Sequence, residues 1–386
     1  MESEFSALCK NNIWTLVPRP PNVNVVGSKW IFRTKFKADG SIERYKARMV
    51  AQGFTQIPRL DYSHTFSPVV KAATVRTVLA LAVINGWKLH QLDVKMLSYM
   101  GILQKIRADP SLFIFKRDSC VMYLLVYVDD LIITGNQPSI MTSFISCLNK
   151  EFAIKDLGKL NYFLGLEVTY TQHGLFLNQS KYTLDILNRA KMLDAKPAPT
   201  PLSTNVSFVS TGTSFPDVTH YRSIVGALQY LTITRPDIAY AVNQVSQFLH
   251  APTSAHFQEV KRILRYLKGT IAFGLHCSRP THTSLLGYSD ADWARCLDTR
   301  RSTYGYSIFL GGNLISWSAK KQPTVARSSC ESEYRAIANT ATEIVWLTHL
   351  FKNFMRYLQN VQPSFVTIKV PFFSLKTQSH TSGLNI

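Results

Sequence analysis

Asp129 and Asp130 break an otherwise apolar run, YLLVYVDDLIITG, between Tyr123 and Gly135. Aspartate favours turns for local hydrogen bonding alone, and that accounts for most Asp-Asp pairs. At the tip of a buried hairpin the pair can do more. Phosphoryl transfer to a growing strand uses two metal ions about 3.5–4 Å apart, which clamp the attacking and leaving oxygens. Holding both ions takes carboxylates that converge from different strands. The flanks, YLLVYV before and LIITG after, read as the two arms of such a hairpin. A third carboxylate is available in Asp93, near the end of the apolar strand WKLHQLDVK.

The elements that must carry these groups follow from periodicity. Residues 24–56 read as a hairpin in which apolar and basic residues alternate from Trp30 to Lys37, turn at ADG and return through IERYKARMVAQG. TVRTVLALAVING, residues 74–86, reads as a short apolar helix ended by Gly86. Residues 138–152 read as a helix, and YFLGLEVTYTQHGLFLNQ as a hairpin turning near Gly174. Pro, Ser and Thr crowd residues 195–216, the composition of a linker or long loop. Helices are expected at about 218–232 and 236–250, and at 256–268, where Val260, Ile263, Leu264 and Leu267 share one face. LLGYSDADWA, YGYSIFLGGNLISWSA and a helix at about 330–353 make a third α/β unit.

A chain of 386 residues suffices for two or three domains with sizeable cores. Its net charge of +19 calls for a polyanionic partner, nucleic acid or an anionic membrane. The first residues are mixed and charged, so no signal peptide is expected. No apolar run approaches the roughly 18 residues of a membrane span. Nucleic acid is therefore the expected partner and the cell interior the expected location. The six cysteines form no CxxC pair, which argues against a zinc site and for reduced thiols.

At this point a resemblance enters. VVGSKWIFRTKFKADGSIERYKARMVAQGFTQ, DYSHTFSPVVKAATVRTVLALAV, LHQLDVK, YLLVYVDDLIITG and DLGKLNYFLGLEV resemble the reverse transcriptase of copia-type LTR retrotransposons. YRSIVGALQYLTITRPDIAYAVNQVSQF and YSDADWA through SCESEYRA resemble the connection and ribonuclease H of the same polyprotein. Nearly the whole chain is covered. The resemblance implies an α+β fold: right-hand polymerase fingers and a truncated palm over 1–194, a linker and helical thumb or connection over 195–280, and an α/β ribonuclease H-like domain over 281–360. It implies that Asp93, Asp129 and Asp130 hold the polymerase metals and that Lys46 and Arg48 lie over the incoming triphosphate, a task that suits the charge and fork of Arg. It implies that Asp290 and Glu333 belong to the ribonuclease H metal site, with Asp292 and Glu331 outside it. Mg2+ or Mn2+ is the implied cofactor. RNA/DNA template–primer and deoxynucleoside triphosphates are the implied partners, other Pol and Gag products further ones, and the cytoplasm, inside a virus-like particle, or the nucleus the implied location.

The chain departs from that family in two places. After Lys95 the family continues NAFLHG and then several tens of residues, including a segment like LYGLKQAPR; here MLSYMGILQKIRADPSLFIF follows instead, an internal deletion near 96–108. Met96 to Met100 can be coded by bases that, with one A restored in front, read Asn-Ala-Phe-Leu-His. The tail, 361–386, behaves alike: shifted by two bases, Phe365 to Lys369 can read Cys-Asp-Asn-Lys, the "CDN" that would bring the third ribonuclease H carboxylate. Glu343 is not expected to replace it. An inactive remnant is the expected state of this copy, with a non-catalytic nucleic-acid-binding module as the alternative and, as a third reading, a falsely assigned intron whose true gene product is intact.

Overall fold

The structure, a computed structural model, describes residues 5, 17–18, 21, 25–36, 41–57, 70–94, 104–105, 108–117, 119–128, 130–151, 154–203, 208–280, 282–355, 366–370 and 373–377. They fall into two compact units, residues 1–67 and 68–386.

In the first unit, β1 (Ser28–Phe36) and β2 (Ile42–Ala51) form an antiparallel hairpin. Directly paired residues lie on one face of a sheet. The register pairs Lys29 with Val50, Ile31 with Arg48, Arg33 with Lys46 and Lys35 with Arg44. Of the described side chains, one face of the ribbon carries Lys29, Arg33, Arg44 and Arg48. Like charges set directly opposite one another destabilise a ribbon.

The second unit opens with α1 (Ala72–Asn85), whose sequence is apolar all round and which is buried on nearly every side, as such a helix must be. Gly86 ends it in the left-handed region, φ 67°. There follow β3 (Leu89–Val94), β4 (Gln104–Lys105), β5 (Leu112–Arg117), β6 (Cys120–Tyr127), β7 (Asp130–Gly135), α2 (Pro138–Glu151) and β8 (Ile154–Lys159). The six strands make one antiparallel sheet in the order β4-β5-β6-β7-β3-β8. Period-2 alternation gives it two apolar faces. Leu92, Leu124, Leu131 and Ile133 pack with Met141, Ile145 and Leu148 of α2. Leu89, Tyr123, Leu125 and Ile132 pack on the other side with α1.

Next come β9 (Tyr162–Phe163), β10 (Leu166–Thr171), β11 (Gly174–Asn178), α3 (Ser180–Arg189), α4 (Val218–Leu231), a 3-10 turn at Pro236–Ile238, α5 (Ala239–Ser246), α6 (Ser254–Gly269) and β12 (Gly274–Ser278). The helices share one core, in which Ile186 and Leu187 of α3 meet Leu228, Val242 and Leu264. This core spans the chain on both sides of residue 195. The Pro-rich segment is docked to it, since Ala198 N–H donates to the Arg265 carbonyl at 3.2 Å. After the helices the chain returns to the strands before them: β12 pairs with β11 along its whole length.

The last elements are β13 (Leu285–Asp292), β14 (Thr303–Leu310), β15 (Asn313–Lys321), the long α7 (Ser329–Met355), β16 (Val366–Val370) and β17 (Phe373–Thr377). Their sheet runs β15-β14-β13-β16-β17, with β16 parallel to β13 and the other neighbours antiparallel. This part does not stand apart from the six-stranded sheet. Leu285, Ile308, Ile315, Leu347 and Phe351 belong to the same core as α1. Arg76 of α1 crosses the join: its Nε donates to the Ile315 carbonyl and its Nη1 to the Ile233 carbonyl, both at 2.8 Å, and its guanidinium lies 3.7 Å from the Trp317 ring centroid. Burial lowers its pKa to about 9, so it stays charged at neutral pH. Tyr123 Oη donates to the Phe354 carbonyl at 2.9 Å and Trp346 Nε1 to the Ala108 carbonyl at 3.0 Å. Among the described residues no helix is long and apolar enough to cross a membrane.

Candidate metal centres

The run LHQLD on β3 alternates, so that Leu89, Gln91 and Asp93 point to one face; the first two are buried and Asp93 half-buried at the strand's open end. The hairpin β6–β7 closes with Tyr127 paired to Asp130 across a two-residue turn, Val128–Asp129. Val128 sits at φ 53°. A primed turn of this length asks for positive φ, and a β-branched residue there costs on the order of 1–3 kcal/mol of strain of the kind found at functional sites. Asp129 itself lies outside the described residues.

The register then brings the ends of three strands together. Asp130 is the direct partner of Asp93, and Asp93 in turn is the partner of Lys155 on β8. Tyr127, Asp130, Asp93 and Lys155 form one row across one face of the sheet, with Cβ atoms about 4.5–5.5 Å apart between neighbours. Two hard oxygen donors fixed at that spacing on a rigid sheet are what a divalent cation such as Mg2+ requires; Lys155 offsets part of their repulsion. Among the described residues no group of three or more Asp, Glu, His or Cys surrounds a common point.

A second carboxylate pair lies in the last unit. Gly287 of β13 lets α7 come close: a Cβ there would stand 2.7 Å from Ile344 Cδ1. Thr340 Oγ1 donates to Ser289 Oγ at 3.0 Å and fixes the register of helix on strand. One result is that Ala291 N–H donates to Glu333 Oε1 at 3.2 Å, next to Asp290. Glu333 Oε2 is buried and has no hydrogen-bond partner among the described residues. Burial, and after it the Asp290 charge, push the Glu333 pKa up against the Ala291 bond. A buried carboxylate oxygen lacking a donor beside a second carboxylate fits a cation.

The other acids nearby are committed elsewhere. Asp292 pairs with Arg295 at 3.7 Å. Glu331 accepts from Arg335 Nη2 and from the Arg327 N–H, both at 2.6 Å. Glu343 accepts from Ser316 Oγ at 2.8 Å, well along α7 from Glu333.

Of the two basic residues singled out in the sequence, Arg48 is exposed on the hairpin face opposite Ile31. Lys46 has its backbone on β2 opposite Arg33, and its side chain lies outside the described residues. Asp109 is a group that sequence reasoning missed. It is 3% exposed and accepts from Thr74 Oγ1 at 2.5 Å and from Ser111 N–H at 2.9 Å, which ties the start of α1 to the entry of β5. The Asp-Pro-Ser turn signal was there to be read.

Comparison with known proteins gives the following. Residues 11–105 and 101–204 match the family described as Reverse transcriptase (RNA-dependent DNA polymerase). The Retrovirus-related Pol polyprotein from transposon RE2 of Arabidopsis thaliana is 43% identical over 403 positions, covering 91% of this chain and 28% of that protein. The corresponding polyprotein from transposon TNT 1-94 of Nicotiana tabacum is 34% identical over 95% of this chain and 32% of its own length. An uncharacterized mitochondrial protein of Arabidopsis thaliana is 52% identical over 58% of this chain and 94% of its own. The chain thus spans less than a third of the Pol polyproteins it matches.

Proposed function

Because the chain belongs to the reverse transcriptase family of copia-type Pol polyproteins, we propose that it is the polymerase and ribonuclease H portion of such a polyprotein in a degenerate copy, still able to hold a divalent cation and nucleic acid but not to extend a primer. The observation that carries this reading is the in-register pairing of Asp93 with Asp130 at the mouth of the six-stranded sheet.

In this reading the hairpin 28–51 belongs to the fingers, the six-stranded sheet is the palm, the helices 180–269 are the thumb and connection, and β13 to β17 with α7 are ribonuclease H-like. Asp93, Asp129 and Asp130 hold Mg2+ or Mn2+ in the palm, and Asp290 with Glu333 hold it in the last unit. The cation, when bound, supplies the charge that stabilises phosphoryl transfer. The chain's own residues position it. Val128 holds the turn that aims the aspartates, Lys155 balances their charge, and Ala291 N–H orients the Glu333 carboxylate. Lys46 and Arg48, with the rest of the basic face, engage triphosphate or template–primer phosphates. The cytoplasm or nucleus is where such substrates are met.

Degeneracy rests on what is missing between and after the carboxylates. The family match comes in two pieces that meet at residues 101–105. The match to RE2 runs over 403 positions while drawing on 91% of 386 residues, so the relative holds residues within it that this chain lacks. A gap there removes palm material that should grip nucleotide and template. In the last unit, β16 lies parallel to β13 but reads Val-Thr-Ile-Lys-Val, with no carboxylate to join Asp290 and Glu333. Loss of a ligand from a two-metal site costs positioning and charge stabilisation together.

Primer extension on an RNA template with Mg2+ or Mn2+, wild type against Asp129→Asn, tests the reading. We expect incorporation indistinguishable from the variant, together with template–primer binding that both share. Incorporation lost only in Asp129→Asn would establish an active polymerase and overturn the degenerate reading; absence of any template–primer binding would overturn the rest.

A further inference from the structure

Beyond the end of β13, a cavity of about 480 Å3 lies between α5, the Pro-rich segment and the loop that follows the strand. Ligand pockets have this order of size. Its walls are tied to their surroundings. Ser210 N–H, in the Pro-rich segment, donates to Asp298 Oδ2 in the loop at 2.7 Å. His256 of α6 accepts at Nδ1 from the Thr253 N–H and donates from Nε2 to the Val209 carbonyl, both at 3.0 Å. A hollow braced in this way spares a ligand the cost of ordering it.

The lining has an aromatic part and a cationic part. The Phe208 and Phe248 rings lie 16° from parallel, and Phe248 is itself stacked on His256, with centroids 3.7 Å apart. A planar ring that enters meets faces already held parallel, ready for the offset stacking that aromatic groups prefer. Arg295 supplies the charge. Its side chain is more than half exposed and pairs loosely with Asp292, Nε to Oδ2 at 3.7 Å, while the Tyr240 hydroxyl lies within reach of the same guanidinium. A guanidinium has five N–H donors in a fork that matches phosphate, so two neighbours leave donors for an anion. The acids that would repel one are occupied: Asp237 by Arg235 and by Tyr266 Oη, and Asp298 by Ser210.

We propose that this cavity seats one unpaired nucleotide of a single strand, its base against Phe208 and Phe248 and its phosphate on Arg295. The seat presupposes that the chain binds nucleic acid, the reading proposed above, and says where an unstacked base goes. The net charge of +19 favours a polyanion over a neutral aromatic compound. Position favours a strand. Asp290 and Asp292 share the exposed face of β13, two residues apart, and Arg295 is tied to the second. A strand that passes the Asp290 and Glu333 carboxylates reaches Arg295 next. A base inside a duplex is held in its stack and enters such a pocket only by leaving it, so the seat prefers single strands.

Fluorescence anisotropy on the full chain tests this, with labelled single-stranded oligoadenylate and a blunt RNA duplex of the same length. Phe208→Leu keeps an apolar side chain and removes the ring face. It should weaken oligoadenylate about tenfold, the effect of losing one base–aromatic stack, and leave the duplex unchanged. Arg295→Gln alters an exposed ion pair that contributes little to the fold. It should lower the slope of log K against log salt for the single strand by about 0.7, the share of one phosphate. Single-strand affinity and slope unchanged in both variants, with wild-type binding intact, would overturn the seat alone. Equal weakening of strand and duplex would overturn the preference for an unpaired base. Adenosine monophosphate that binds as tightly as oligoadenylate would make the cavity a free-nucleotide site and overturn the strand. A wild type that binds neither RNA at low salt would overturn the nucleic-acid reading on which the seat rests.

Discussion

Asp93 on β3 and Asp130 on β7 are direct cross-strand partners, so two carboxylates share one face of the sheet across a single interstrand gap. Like charges directly opposite one another destabilise a strand pair, and a bound cation would relieve that repulsion. Asp130→Asn should therefore raise the unfolding temperature in the presence of EDTA. Added Mg2+ or Mn2+ should raise it in the wild type and much less in the variant. A wild type indifferent to both ions in a thermal melt would overturn the proposed metal site at Asp93 and Asp130.

Glu333 gives a prediction in pH. Its pKa in the folded protein is raised, by burial first and then by Asp290. The unfolded chain then releases this proton at lower pH than the folded one, so the group's contribution to stability falls as pH rises past its ordinary carboxylate value. Glu333→Gln should be more stable than wild type at pH 7, and the difference should vanish as pH falls toward 4, where both states of the wild type are protonated. Melting curves across that range decide it.

Arg76 is the buried cation that joins α1 to β15. Arg76→Met removes the donors of the Ile315 and Ile233 carbonyls. At about 1–3 kcal/mol for a stranded buried group, the loss should be roughly 2–4 kcal/mol, offset in part by the methionine's own burial. Urea unfolding should show a lower midpoint at an unchanged slope.

The basic face of the 28–51 hairpin predicts salt-dependent binding. Replacing Arg33 and Arg48 by Gln should lower the slope of log K against log salt for RNA or DNA by about one for each phosphate that is no longer neutralised. Equal weakening at every salt concentration, with the slope unchanged, would mean that these two residues do not meet phosphates.

What could be read from the sequence was mostly local. The 28–51 hairpin, the apolar helix closed by Gly86 and the Asp-Asp turn each announce themselves locally, and Asp93 was singled out because its strand is apolar and precedes the hairpin in sequence. The helix expected over 236–250 is shorter, since Pro236 opens a 3-10 turn and the α-helix begins only at Ala239. What stayed hidden is non-local. No pattern near Gly274 says that its strand will pair with Leu177 and its neighbours nearly a hundred residues earlier. Arg76 reads as a charged interruption in an apolar helix until Ile315 and Trp317 arrive from the far end of the chain.

The common core of α1, the six-stranded sheet and α7 has a consequence for descent. Where two halves of a chain keep separate cores, one can be lost and the other transmitted intact. Here Tyr123 is bonded to Phe354 and Arg76 to Ile315, so a substitution that loosens either half is felt in both. Change in either half is thus inherited by the fold as a whole.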